Sequence, residues 1–152
     1  MENRDIFRIY LDSENAEITN DTTGNYTFNI RLPAKKINYT NYVLYVDDFN
    51  ICLKGLTTTE LQLKLGVSQY NSYNSATKAN NTVVATLFNP NTASARTDDL
   101  TLTYIGTTNP NQISSIPDNL SVDIVDIDNV GINLSNANNY WTLNLRVEAF
   151  YD

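Results

Sequence analysis

Closely spaced carboxylates are the first chemistry this chain offers. Asp123, Asp126 and Asp128 fall in the run SVDIVDIDNVG, with Asn129 beside them and Gly131 just beyond. Carboxylates and an amide carbonyl are hard oxygen donors of the kind calcium takes, and a glycine permits a tight turn. If the strand persists, Asp126 and Asp128 point the same way and Asp123 the other. Asp126, Asp128 and Asn129 are therefore the candidate calcium set, although their spacing does not match the twelve-residue helical calcium loop. The competing reading needs no cofactor: a solvated strand end whose Asp residues discourage edge pairing.

Two doublets, Asp47-Asp48 and Asp98-Asp99, raise glycoside hydrolysis. That chemistry needs two carboxyls ~5–9 Å apart across a cleft, one with a raised pKa. Adjacent residues on a regular strand face opposite ways, so neither doublet is such a pair by itself. They read instead as turn and bulge residues. The chain has no histidine, which removes the commonest general base near neutral pH and the commonest zinc ligand. It also lacks a Gly-rich phosphate loop, a nucleophile elbow and a metalloprotease helix motif. Cys52 is the one cysteine, so no intrachain disulfide can form. The expectation is a protein that is not an enzyme.

Tyrosine is the remaining candidate. Tyr39 and Tyr42 lie at a crossover, Tyr45 follows them, and Tyr70 and Tyr73 lie in the longest irregular segment, residues 67–81. Tyrosine gives a large contact area at modest entropic cost, which suits subunit interfaces. Tyr39, Tyr42, Tyr70 and Tyr73 are the subunit-contact candidates. Aromatics spaced on one exposed sheet face would instead suit sugar stacking. Here they fall mainly near strand ends, which favours assembly over a glycan-binding module.

The elements that must position these groups are strands. Residues 139–152, NYWTLNLRVEAFYD, alternate Trp141, Leu143, Leu145, Val147 and Ala149 with Thr142, Asn144, Arg146 and Glu148. A period of two with no internal Gly or Pro reads as a central strand, with Trp141, Leu143, Leu145 and Val147 as core anchors. Similar alternation marks strands at residues 7–11, 26–32, 42–53, 61–65, 82–88, 100–104 and 120–127. Asp47-Asp48 interrupts the longest of these and reads as a bulge. Gly106, Pro110 and Pro117 read as breaks. No segment shows a helical period, and no Asn-Gly or Asp-Gly hairpin turn occurs. The expectation is an all-β chain, one domain over residues 1–152, folded as an eight-stranded antiparallel β-sandwich of the jelly-roll type. An immunoglobulin sandwich is the alternative, but it wants a Cys, Trp, Cys spacing that is missing.

Ten basic residues against seventeen acidic give a net charge of -7. A phosphate backbone needs clustered positive charge, so nucleic acid is not an expected partner. Polar ENRD follows Met1 and no apolar run approaches the ~20 residues of a membrane span. Neither a secretory signal nor a membrane span is expected. Asn occurs 23 times and Thr 18 times, which describes a surface of short uncharged polar groups on a β scaffold.

The runs IPDNLSVDIVDIDNVGINL (residues 116–134) and NYWTLNLRVEAFYD (residues 139–152) resemble the C-terminal half of small single jelly-roll capsid proteins of large DNA viruses. The abundance of asparagine is similar to that of proteins from the AT-rich genomes of such viruses. The resemblance implies a structural subunit of the virion, a penton-type or minor capsid protein, whose partners are copies of itself and other capsid proteins. It implies pentamers before trimers. Residues 67–81 or 107–119 would face the axis, and Lys78 is the one basic residue in the two segments. Only residues 1–5 precede the first strand, so exchange of an N-terminal arm is not expected. The alternative is a carbohydrate-binding module of a viral fibre or host-attachment protein.

Overall fold

A computed structural model describes residues 3–31, 38–53, 60–67, 81–88, 100–113, 115–116, 118–135 and 139–152. Among these residues there is no helix, and the strands are β1 (Asn3–Asp12), β2 (Ile18–Asn20), β3 (Asn25–Asn29), β4 (Asn41–Leu53), β5 (Glu60–Val67), β6 (Asn81–Phe88), β7 (Leu100–Ile113), β8 (Asn119–Val125) and β9 (Tyr140–Tyr151). They form a four-stranded sheet in the order β1-β9-β4-β7 and a five-stranded sheet in the order β2-β3-β8-β5-β6. Every ladder is antiparallel.

β9 lies inside its sheet, between β1 and β4, as its two-residue period requires. Trp141, Leu143, Leu145 and Val147 are all at most 1 % exposed. Across the sandwich they share one core with Leu61, Leu63 and Leu65 of β5 and with Leu120, Val122 and Ile124 of β8. The Trp141 ring meets Tyr26 edge-on at 5.0 Å and Phe28 at 5.9 Å, with Phe49 tilted at 6.2 Å. Edge-to-face aromatic pairs add ~0.5–1.5 kcal/mol beyond burial. This cluster ties β9 and β4 of one sheet to β3 of the other.

The described residues form nine strands where the alternation predicts eight. The extra strand, β2, has one apolar residue in three and all three are exposed, so no period could reveal it. It pairs with β3 through a turn that ends at Gly24, whose φ of 64° is left-handed. A second difference lies in β7. Gly106 and Pro110 read as breaks, yet the strand runs on to Ile113. β7 is an edge strand, where a missing amide costs no ladder bond. Residues 107–110 lie opposite Tyr45 alone, and the excess is absorbed in a register jump: Leu44 pairs with Asn111, but Val46 pairs with Gly106. Ile132 and Leu134, outside every strand that the alternation marks, belong to the core.

Candidate functional site

The bulge in β4 sets up the most developed polar site. Leu44 and Val46 face the core, then Phe49, Ile51 and Leu53 do. One extra residue sits between the two sets, where the register with β9 shifts between Val46 and Asp48. Asp47 and Asp48 therefore both face outward, contrary to the expectation that neighbours alternate, because a bulge breaks that alternation.

Their partners differ. Arg8 on β1 and Arg146 on β9 are directly opposed across the ladder, an arrangement that is destabilising for like charges. Asp47 resolves it, taking Arg146 Nε on Oδ1 and Arg8 Nη1 on Oδ2, each at 3.1 Å. Arg146 also donates to Glu148 Oε1 at 2.8 Å and to the Thr107 carbonyl at 2.7 Å. Its guanidinium lies 4.1 Å from the centroid of the Tyr45 ring. Glu148, its side chain 3 % exposed, receives Arg4 Nη1 at 3.1 Å as well. Asp48 Oδ1 accepts from Asn144 Nδ2 at 2.9 Å and from Asn50 Nδ2 at 3.0 Å. Over this network lies an open groove of about 510 Å³, whose apolar lining is Ile6 and Ile105. Both carboxylates are engaged by donors, which is the arrangement of a braced surface rather than of an acid and base sharing a cleft. Asp98 and Asp99 lie outside the described residues.

The acidic run sits on the other sheet. β8 ends at Val125, and residues 126–130 form a turn, with Asn129 at a φ of 63°. Asp126 Oδ1 accepts the amides of Asp128 and Val130, both at 2.9 Å. Asn129 Oδ1 accepts Lys64 Nζ at 2.6 Å. Lys64 is 3 % exposed, because this turn folds over it. The strand does not persist past Val125, so Asp126 and Asp128 do not share a strand face. Two of the three candidate calcium ligands already accept hydrogen bonds from this chain. Among the described residues no three His, Cys, Asp or Glu gather closely enough to hold a metal ion.

Lys64, Asp123 and Asn25 occupy facing positions on β5, β8 and β3. Asn25 Nδ2 donates to Asp123 Oδ1. With Thr23 and Asn129 they line a polar pocket of about 300 Å³. Sequence reasoning missed Lys64, since its contact with Asn129 spans 65 residues and nothing local marks it.

Of the tyrosine candidates, Tyr70 and Tyr73 lie outside the described residues, and Tyr39 and Tyr42 come together. Their rings are 5.9 Å apart, and Tyr39 also meets Phe7 at 6.2 Å and Tyr151 at 6.3 Å. The Tyr39 hydroxyl donates to Asp5 Oδ2 at 2.7 Å. That bond, followed by burial, pushes its pKa up to about 12. Tyr39 and Tyr42 thus brace the end of the four-stranded sheet where β1 begins and β9 ends.

Among the described residues no helix is long and apolar enough to cross a membrane. No family model matches the chain, and no curated protein matches it. Among solved structures it is similar to a chain in the X-ray structure of Tomato aspermy virus, at 10 % identity and a TM-score of 0.31, over 97 % of this chain and 78 % of that one. A likeness at that level carries no argument about function.

Proposed function

We propose that the sandwich is a jelly roll and that the chain is a non-enzymatic structural subunit of a viral capsid. The observation that carries the first half is the pairing order. With three-residue β2 set aside, eight strands remain, and the first pairs with the last, β1 with β9. The second pairs with the seventh, β3 with β8. The third pairs with the sixth, β4 with β7, and the middle two, β5 and β6, pair with each other. This is one long antiparallel hairpin rolled up until β4 meets β9 and β5 meets β8. In the constant-type immunoglobulin order the first and last strands lie in different sheets.

Jelly rolls serve as viral shells, lectins and cupins. The core here is packed with Trp141, Phe49 and leucines, and the chain has no histidine, which disfavours a cupin-like site inside the barrel. Tyr39 packs edge-on against Tyr42, Phe7 and Tyr151, which disfavours a lectin's open aromatic platform. A shell subunit works by presenting surfaces, and a net charge of -7 keeps it off nucleic acid. The finer reading, from the sequence resemblance, is a penton-type or minor capsid protein. Five copies would surround a vertex, with groups of three as the competing arrangement. Cryo-microscopy and mass spectrometry of purified virions test this. The chain at five-fold vertices supports it, a place between trimeric capsomers overturns the pentamer, and absence from virions overturns the role.

One observation favours a second reading, a carbohydrate-binding module. A sugar hydroxyl can accept from an ammonium and donate to a carboxylate, and Lys64 and Asp123 flank one pocket. Saturable binding to a defined glycan on an array, lost in Lys64→Met, would put that reading first.

A further inference from the structure

We propose that Lys64 and Asn129 join covalently in the folded chain, in an isopeptide bond formed with Asp123 as proton acceptor and ammonia as leaving group. Ladder and turn together set the three positions. Leu63 and Leu65 of β5 and Val122 and Ile124 of β8 face the core, so Lys64 and Asp123 between them point to the outer face. These two are directly opposed in the ladder, which puts their Cβ atoms ~4.5–5.5 Å apart. Asn25, opposed to Asp123 from β3, donates Nδ2 to Asp123 Oδ1 and orients the carboxylate.

A lysine on the outer face of a sheet ordinarily carries its amine into water. Lys64 is instead 3 % exposed and ends on a side-chain amide, with Nζ 2.6 Å from Asn129 Oδ1. A carbonyl bond is ~1.23 Å long, so Nζ stands ~3–4 Å from Asn129 Cγ. Reacting atoms in a near-attack arrangement are ~3–3.5 Å apart. The turn holds Asn129 in that place. The Asn129 amide donates to the Asp126 carbonyl at 3.1 Å, the Asp126 amide to the Val130 carbonyl at 2.9 Å, and Asp126 Oδ1 accepts two more amides. Such prior ordering is what lets an unactivated amide react within one chain.

The step balances without an oxidant or a co-reactant. Asp123 takes one proton from the Lys64 ammonium, and the freed electron pair on Nζ forms a bond to Asn129 Cγ while the carbonyl electrons move onto Oδ1. As those electrons return, the Cγ–Nδ2 bond breaks, Asp123 passes its proton to Nδ2, and Nζ loses a second proton. Ammonia leaves through the pocket beside the three side chains and takes up that second proton. An ammonium and a carboxamide thus become a secondary amide and an ammonium ion. The bond closes a loop spanning 65 residues, and a cross-link over so long a loop restrains the unfolded chain. Cys52 is the one cysteine, so this tie does what no intrachain disulfide can do here, and reductants do not break it. An amide at Lys64 carries no charge. The proposal therefore excludes the glycan reading of this pocket and is independent of the shell reading.

The test is mass spectrometry of the full-length chain, incubated folded at neutral pH. The native chain is expected to be lighter than its sequence by one ammonia, and tandem spectra of a digest should show a branched peptide joining Lys64 to Asn129. Lys64→Met, which keeps most of the apolar stem, should keep its full sequence mass, as should the native chain held unfolded in urea. Asp123→Asn should form the bond at least ~100-fold more slowly, the share that a positioned proton acceptor contributes, and thermal unfolding checks that this variant is folded. A folded native chain that keeps its full mass overturns the proposal. So does ammonia lost within the Asn129 peptide alone, which is cyclisation of that asparagine without a cross-link. A bond that forms in Asp123→Asn at the native rate overturns the role of Asp123.

Discussion

Arg146→Ala is the perturbation that most directly asks whether the outer network is structural. Arg146 meets Asp47, Glu148, the Thr107 carbonyl and the Tyr45 ring. Its loss leaves Glu148, with a side chain 3 % exposed, to Arg4, which is half exposed and free to move with solvent. Removing one member of a buried ion pair costs ~3–5 kcal/mol, because the other charge stays buried without compensation. Against a total stability of ~5–15 kcal/mol that is a large share. At ~2–4 °C per kcal/mol for a chain of this size, Tm should fall by ~6–20 °C. A surface pair would cost ~1 kcal/mol or less, so the two cases are separable by calorimetry. The double variant Arg146→Ala/Glu148→Ala removes the stranded charge and should be less destabilised than the sum of the single variants. A cost for Arg146→Ala under ~1 kcal/mol, or additivity within ~0.5 kcal/mol, would refute the reasoning.

Tyr39→Phe should flatten part of the alkaline limb of stability. A tyrosine in the unfolded chain ionises near pH 10, whereas Tyr39 is held up to about 12 by Asp5 and burial. Its contribution is therefore complete below pH ~10 and lost as pH rises through the folded value. Tyr26, raised by burial and by Asp21, acts in the same direction and will leave part of the slope; Tm measured across this range in both chains checks it. Gly131→Ala would place a Cβ 2.0 Å from the Thr23 carbonyl oxygen. Overpacking of that kind costs ~1–3 kcal/mol, and an unchanged Tm would show that residue 131 does not press on the β2–β3 turn. Millimolar calcium added to the EDTA-treated chain should leave Tm unchanged, since Lys64 and two backbone amides already occupy acceptors in the acidic turn. Saturable stabilisation would return Asp126, Asp128 and Asn129 to calcium.

What could be read from the sequence follows from where each constraint acts. β9 was legible because its apolar period of two records burial along the whole strand. The bulge in β4 was legible as an interruption, but the direction of its side chains was not, since alternation fails at that very point. The continuation of β7 past Gly106 was hidden because Gly106 and Pro110 end interior strands, and whether a strand is at an edge depends on its neighbours. The polar site was almost wholly hidden. Asp47 and Arg146 are 99 residues apart, and on the page Arg146 and Glu148 are the solvent half of an alternating strand. Only the ladder that puts Arg8 opposite Arg146 explains why a carboxylate is wanted between them.

That last contact bears on where function should be sought. The core does not need the extra residue in β4. With Asp48 removed, Leu44, Val46, Phe49, Ile51 and Leu53 would alternate without a break and still face inward. The inserted residue therefore serves the other face. There it sets two carboxylates side by side, one bridging two opposed arginines and one holding Asn50 and Asn144. Bulges re-aim side chains in this way, and places where a sequence departs from its own pattern without gain to the core tend to be functional. The acidic turn makes no comparable demand on its strand, because β8 simply ends before it. By that reasoning the bulge in β4 is there for the outer face of the four-stranded sheet and not for the core.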